Sequence, residues 1–396
     1  MISFDEAIAI IGSTAMPLGT ETIALGAAVG RVLAEPVIAS IDSPRADVSA
    51  MDGYAVRSAD LCSYPASLRI VGESLPGRGW GGKLDPGTCV RIFTGAPLPA
   101  GADRIVIQEQ VRREGDTANI DSGAGPATWV RPQGRDFRSG DEILPAGRRL
   151  DPSALIAAAG ADAAEVTVCE RPRVAVLATG DELVAPGEAR TALLAVPDSA
   201  SLGVAALAEQ WGAQVVGHRR APDDLEQLRS AADRAVASAD VIVVIGGASV
   251  GERDFAKVIF EPLGLELRFS KISIRPGKPA WFGRAGEKLV LGLPGNPTSA
   301  LVTARLLLAP LIAGMQGQSA DQALAWEPAR LATPLRECDQ RETFHRAVLK
   351  GGQASLADFQ ESHAQKALAE ADVLLRQPAH SPPIAAGETV QVLRLS

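Results

Sequence analysis

Three polar, glycine-bearing segments each close an apolar run in the middle of the chain: Thr179-Gly180-Asp181-Glu182 after residues 173–178, Gly246-Gly247-Ala248-Ser249 after 241–245, and Pro294-Gly295-Asn296-Pro297 after 289–293. Runs this short and this uniformly apolar read as strands buried on both faces, and open parallel sheets bind ligands in the loops at their carboxyl ends. The three loops are therefore expected to share one crevice. Gly246 and Gly247 let the backbone approach a ligand and aim N–H groups at an anion, and a helix starting near Asp254 would add its positive end. The plainer alternative is that paired glycines only turn the chain from strand to helix.

Lys271, Ser273 and Arg275 alternate along residues 269–275, which strand geometry would turn to one face, and Lys278 follows in Arg275-Pro276-Gly277-Lys278-Pro279. In an acidic protein this group is either an anion clamp or the charged defence of a solvated edge strand. Asp181, Glu182, Glu252 and Asp254 crowd the same loops, where bare carboxylates would repel a phosphate. Mg²⁺ removes that conflict, because it is held by one or two carboxylates together with substrate phosphate oxygens. For any single acid, and for Asp254 in particular, a helix cap or a surface charge is the competing role. Two further polar turns, Ser49-Ala50-Met51-Asp52-Gly53-Tyr54-Ala55 and Thr94-Gly95-Ala96-Pro97-Leu98-Pro99, lie in a different stretch. Turn chemistry alone makes Asp52-Gly53 a plain turn, and spacing does not join it to the crevice.

The elements that must position these residues follow from pattern. Phe4, Ala7, Ile8 and Ile11 have helical spacing, and the first 35 residues read as a helix, a turn at Pro17 and Gly19, and a second helix. From about 44 to 147, short apolar runs broken by Gly and Pro read as a β-rich domain. Asp151-Pro152-Ser153 is a helix start, with an N-cap acid and a first-turn proline. From 173 to about 317, strands at 174–178, 215–216 and 241–245 alternate with helices at 201–211, 225–238 and 256–261, the signature of a parallel sheet covered on both faces. After Gly317 short strands return and end in Val390 and Val392 at alternate positions, which reads as a small terminal β domain.

Composition bounds the class. The chain has 396 residues, enough for several domains, and its 46% hydrophobic and 22% charged residues describe a folded globular protein. A formal charge of −8 argues against a general binder of nucleic acid or anionic membrane, so an anionic ligand needs a local cluster of cations. The early acids Asp5 and Glu6 do not resemble a secretory signal, which leaves the cytoplasm as the expected compartment. Residues 300–315 are interrupted by Arg305 and Pro310, and no membrane-spanning helix is expected. Four scattered cysteines and four scattered histidines offer no zinc spacing, and Cys169, in the strand-like run 166–169, reads as core.

Taken in order, the motifs resemble the molybdopterin molybdenumtransferase family, the bacterial relatives of the gephyrin E domain. The resemblance is carried by Ser49–Ala55, Arg91-Ile92-Phe93-Thr94-Gly95-Ala96, Ala178-Thr179-Gly180-Asp181-Glu182-Leu183, Gly246-Gly247-Ala248-Ser249-Val250-Gly251-Glu252, Pro276-Gly277-Lys278-Pro279 and Gly292-Leu293-Pro294-Gly295-Asn296-Pro297, and it covers nearly the whole chain. It implies a multidomain α/β plus β fold. A helical hinge (1–43 plus 148–170) and a β-rich domain (44–147) precede a central three-layer α/β/α domain like that of the adenylyltransferases (171–317) and a C-terminal β barrel (318–396).

The implied reaction is attack of molybdate on adenylylated molybdopterin, with AMP released and molybdenum left on the dithiolene. By the same resemblance Glu182 and Asp254 match acids of catalysis or Mg²⁺ binding, and Asp52, Thr94, Asp136 and Asp223 match further catalytic positions. Gly246, Gly247, Ser249, Lys271, Arg275 and Lys278 match the anion site, and Pro294 and Pro297 the rigid loop lining the pocket. An elongated homodimer is implied, in which a second copy brings Asp52 and Thr94 to the crevice, with the adenylyltransferase and apo-molybdoenzymes as further partners, and with no nucleic acid or membrane. Four positions depart from the family pattern: Arg275 for a lysine, Ala200 for an asparagine, Glu361 for a glycine and Asp372 for an asparagine. The competing activities are the adenylyltransferase step that precedes insertion and a non-catalytic cofactor-binding or scaffold protein.

Overall fold

The alternation read between 173 and 317 becomes a six-stranded sheet in the structure, a computed structural model that describes residues 1–247 and 255–395. Its strands are β1 (Arg173–Thr179), β2 (Gln214–Ala221), β3 (Val241–Ile245), β4 (Leu265–Phe269), β5 (Trp281–Ala285) and β6 (Lys288–Leu293), in the order β2-β1-β3-β6-β5-β4. The first four of that order run parallel, and β5 and β4 are added antiparallel. Uniformly apolar strands need cover on both faces, and they receive it. Val174, Val176, Val243 and Leu291 pack on one face with the helices Phe4–Thr14 and Ala200–Gln210. Leu177, Ile242, Val244 and Val290 pack on the other with Leu228, Ala231 and Ala232 of the helix Leu225–Ser238. That helix starts where its cap residue predicts, with Asp224 accepting from the Gln227 N–H at 2.9 Å.

The longest helical run, Pro297–Met315, meets the length and composition of a membrane-crossing helix at 19 residues, yet 94% of its apolar window lies inside the protein, so it is a core helix. A π turn at Ala304–Leu308 separates its two α-helical parts and admits Pro310 near the start of the second. Arg305, 4% exposed, lies over the Trp211 ring at 4.7 Å and donates through Nε to the Arg394 carbonyl. Burial lowers its pKa to about 10.

The chain divides into two compact units. The first holds Met1–Glu21, Gly30–Ala34 and Val168–Ser396, and so contains the central sheet and the C-terminal barrel. In the barrel, Glu342–Lys350, Gln353–Leu356, Glu327–Leu331, Thr389–Arg394 and Val373–Gln377 pair in that order and close by a final pairing back to Glu342–Lys350. Ala347, Leu375, Val390 and Val392 fill it. The second unit holds Thr22–Val29 and Glu35–Thr167. Its six-stranded sheet is buried on both faces by alternate residues, with Tyr54, Val56 and Val106 on one side and Ala55, Val90 and Ile105 on the other. The helix Pro152–Gly160 starts as read, Asp151 accepting from the Ala154 N–H at 2.8 Å.

Three local expectations are corrected. The second N-terminal helix is a strand, Thr20–Ala24, followed by one 3₁₀ turn, Leu25–Ala27; β-branched Thr20, Thr22 and Ile23 favour the extended form. The helix expected at 256–261 is α only as far as Val258 within the described residues, and a 3₁₀ turn follows at Glu261–Leu263, where Pro262 cannot supply the N–H that would continue it. Residues 269–275 are not one strand. β4 ends at Phe269, and Ile274–Arg275 pairs instead with Glu342–Thr343 of the barrel.

Candidate functional site

Between β1 and β3 the chain departs to opposite sides of the sheet, and the gap this opens at the carboxyl ends is a crevice of about 820 Å³. All three glycine loops line it, through Thr179, Gly180 and Glu182, through Gly246 and Gly247, and through Pro294 to Pro297. Their approach depends on missing side chains. Gly246 has φ +94°, and a Cβ there would stand 2.7 Å from the Thr179 carbonyl oxygen. Its N–H donates to the Leu293 carbonyl at 3.2 Å, and a Cβ on Gly295 would stand 3.4 Å from the Gly246 Cα. Pro297 occupies the first turn of its helix after Asn296, whose side chain donates to Ser362 Oγ at 2.8 Å.

Lys271 and Lys278 enter the same crevice, joined by Lys257, which sequence reasoning missed. Nothing in the spacing of Lys257 singles it out; the short turn Phe255–Val258 brings it to the site. The two expected lysines are set by a loop rather than a strand face, because the Ile272 N–H donates to the Lys278 carbonyl at 3.1 Å and folds the segment back. Arg275 is thereby separated from them. It lines a neighbouring cavity of about 600 Å³ and pairs with Asp339 at 3.4 Å, so the predicted one-sided row of cations is corrected to two lysines in the crevice and one arginine beside the barrel.

Of the acids, Glu182 and Asp223 line the crevice, and Asp181 faces an adjoining cavity while accepting from the Asp223 N–H at 2.9 Å. Ser249, Glu252 and Asp254 lie outside the described residues, as does the start of the helix that Asp254 was expected to open. Among the described residues no three metal-ligating side chains cluster. Mg²⁺ does not require three: one or two carboxylates with substrate phosphate oxygens suffice, and the exposed Glu182 carboxylate, without a partner among the described residues, fits that arrangement.

Two buried hydroxyls on the crevice, Thr179 Oγ1 and Ser199 Oγ, have no hydrogen-bond partner among the described residues. Such groups are costly to leave unpaired, and a ligand oxygen or N–H would satisfy them. The sequence motifs do not single out Ser199; its neighbour Ala200, one of the departures from the family pattern, is itself on the crevice wall.

Asp52, Thr94 and Asp136 belong to the second compact unit. Asp52 Oδ1 accepts from both the backbone N–H and the hydroxyl of Thr94, each at 2.8 Å, and these bonds hold its carboxyl below the usual range. Asp136 is apart from them, on a cavity it shares with Ser43, Phe137 and Ser153. Near the barrel, Glu361 lines the cavity of Arg275, and Asp372 accepts from the Leu349 N–H at 3.0 Å. Cys169 is buried as expected, and burial pushes its thiol up.

Residues 2–161 match the MoeA N-terminal region (domain I and II), 175–314 a probable molybdopterin binding domain, and 328–395 the MoeA C-terminal region (domain IV). A molybdopterin molybdenumtransferase of Haemophilus influenzae is 35% identical over 99% of this chain and 98% of its own, and one of Nostoc sp. is 36% identical over 82% and 76%. Among solved structures, the molybdopterin biosynthesis moea protein of Pyrococcus horikosii superposes with a TM-score of 0.81 at 30% identity, covering 100% of this chain and 99% of that one.

Proposed function

The chain belongs to the molybdopterin molybdenumtransferase family, and from that membership we propose that its insertion chemistry takes place in the crevice at the ends of β1, β3 and β6. The enzyme inserts molybdenum from molybdate into adenylylated molybdopterin and releases AMP. The observation that carries the placement is the meeting of Lys257, Lys271 and Lys278 with three glycine or proline loops in one crevice of a protein whose net charge is −8. Both substrates are anions, and they approach each other only where their charge is neutralised.

The residues divide the work. Lys271 and Lys278 stabilise the phosphate and molybdate oxygens, and fixed donors in a pocket need no reorganisation as charge develops. Gly246 and Gly247 bring backbone to the ligand, while Pro294 and Pro297 keep the adjoining loop rigid. Glu182, with Asp254 by family resemblance, would hold Mg²⁺, which would neutralise further phosphate charge; Asp223 lines the same crevice. No side-chain nucleophile is needed: a molybdate oxygen attacks the anhydride phosphorus and the P–O bond to the adenylate breaks, while the two dithiolene sulfurs replace two oxygens on molybdenum, one kept by the phosphate and one leaving as water with the thiol protons, so positioning supplies most of the rate. Asp52, Thr94 and Asp136 act with a second copy of the chain in a homodimer in the cytoplasm, a proposal that rests on family resemblance and on the Asp52–Thr94 pair being preformed. Delivery to apo-molybdoenzymes and exchange with the adenylyltransferase rest on the same resemblance.

The test is AMP release from adenylylated molybdopterin on adding molybdate and Mg²⁺, with the pterin product assayed for reconstituting a molybdenum-free apoenzyme. Release with reconstitution is expected. Tight binding of the pterin without release would make the crevice a carrier site instead.

A further inference from the structure

A hydrogen-bonded row of three side chains connects the crevice to the cavity beside it. Asp198, 3% exposed, lies in the wall that the two share, the second being a polar cavity of about 920 Å³. The Ser201 hydroxyl is bonded at close range to Asp198 Oδ2, the Ser201 N–H donates to Asp198 Oδ1 at 3.2 Å, and Ser201 Oγ stands 2.5 Å from Nε2 of His218 on β2. His218 Nε2 is itself 3.7 Å from Asp198 Oδ2.

The direction of these bonds follows from counting protons. A buried carboxylate only accepts, so the single Ser201 hydroxyl proton must point at Asp198. The Ser201 oxygen then has only lone pairs to offer His218, which requires the proton to be on Nε2, leaving Nδ1 for the outer cavity. His218 therefore donates to Ser201, and Ser201 donates to Asp198.

What this row fixes is the turn Pro197–Ala200, where the chain leaves a short strand and enters the helix Ala200–Gln210. Asp198 ties that turn to the helix start, since Ser199, the formal N-cap, makes no capping bond. The Ser199 hydroxyl is instead the buried, unpartnered group on the crevice wall. Resting on the assignment of the crevice as the insertion site, we infer that Ser199 donates a hydrogen bond to an anionic oxygen of the substrate, and that His218, from the edge of the sheet, is the positioning residue that sets it through Ser201 and Asp198. Neither residue was marked by the sequence motifs: Ser199 has a plain hydroxyl in a turn, and His218 is one of four scattered histidines.

The experiment compares KM and kcat for adenylylated molybdopterin, read as AMP released with molybdate and Mg²⁺, in the full-length protein and in Ser199→Ala, His218→Leu, His218→Gln and Ser201→Ala, each checked by thermal melting. Removing one hydrogen bond to a charged group raises KM about tenfold in Ser199→Ala with kcat within about twofold. His218→Leu and Ser201→Ala shift KM the same way, whereas His218→Gln, which keeps an N–H near the Nε2 position, stays within about twofold of the unsubstituted protein. The double variant Ser199→Ala/His218→Leu is no worse than Ser199→Ala alone, because both changes remove one interaction. Wild-type KM in His218→Leu, equal impairment of the Leu and Gln variants, or additive losses in the double variant would overturn the inference. Absence of AMP release from the unsubstituted protein would strike the site assignment itself, a separate outcome.

Discussion

A lysine at the crevice is worth what it does to developing charge, which separates its effect on catalysis from its effect on folding. Lys278→Ala is expected to lower kcat/KM for molybdate-dependent AMP release about 100-fold, with the melting temperature within about 2 °C of the parent, since the side chain is exposed on the crevice and not in the core. The Asp52–Thr94 pair gives a prediction in pH. The Thr94 backbone and hydroxyl bonds hold the Asp52 carboxyl below its usual range, so the ionised form persists to lower pH and is lost only as the pH falls through that depressed value. Thr94→Ala keeps the backbone bond and deletes the hydroxyl, so the titration of Asp52 rises and the acid limb of the activity profile moves to higher pH. An unmoved acid limb in kcat/KM would remove Asp52 from the ionisations that matter. Residue types in these positions were legible from motif and turn chemistry, because Gly-Gly permits a close, positive-φ turn that other residues resist and the prolines of Pro-Gly-Asn-Pro fix φ. Partner identity was not: no spacing rule relates Asp198 or Ser201 to His218.

At the level of elements, the site depends on three parallel strands ending level with one another, and a charged clamp at their opposite ends keeps them so. Asp240, just before β3, accepts from Arg173 of β1 through Nε at 3.1 Å and Nη2 at 2.8 Å, and lies 3.4 Å from Lys288 of β6. Burial alone would raise the Asp240 carboxyl, but the Arg173 bonds and the Lys288 charge outweigh it and hold the carboxyl below the usual range. A depressed folded-state value means the stabilisation is present above the ordinary carboxylate range and is lost as pH falls through the folded value. Asp240→Asn should therefore cost about 1–2 kcal/mol in urea unfolding at neutral pH, after allowance for partial exposure, and the difference from the parent should shrink on acidification. A constant difference across that range would place the cost in packing and not in charge. Gly246 tests the loop end of the same strands. In Gly246→Ala the new Cβ meets the Thr179 carbonyl at 2.7 Å on a backbone at φ +94°, and the expected cost is about 1–3 kcal/mol together with loss of activity.

On the scale of the whole molecule, the Asp52–Thr94 pair and the lysine crevice sit in different compact units of one chain, and the proposed homodimer makes the catalytic set complete. Mixing two inactive variants, Asp52→Ala and Lys278→Ala, should then restore up to about a quarter of the parent activity, because half the mixed dimers' sites are intact when subunits exchange freely. Light scattering checks that both variants are dimers; if they are dimers that exchange and no activity returns, each site draws on a single chain. The strands β1, β3 and β6, the helices Ala200–Gln210 and Leu225–Ser238, and the crevice at the strand ends could be read from the sequence alone because hydrophobic period and turn chemistry are local. The second N-terminal helix and the single strand over 269–275 were misread where short apolar patterns suit more than one conformation and a distant partner, here Glu342–Thr343, makes the choice. The same physics separates what sequence determined from what it left open. Which loops meet in the crevice was written in residue type, whereas the exclusion of Arg275 from the crevice, the arrival of Lys257 and the His218–Ser201–Asp198 row came only from tertiary packing, which decides where the side chains of irregular segments point.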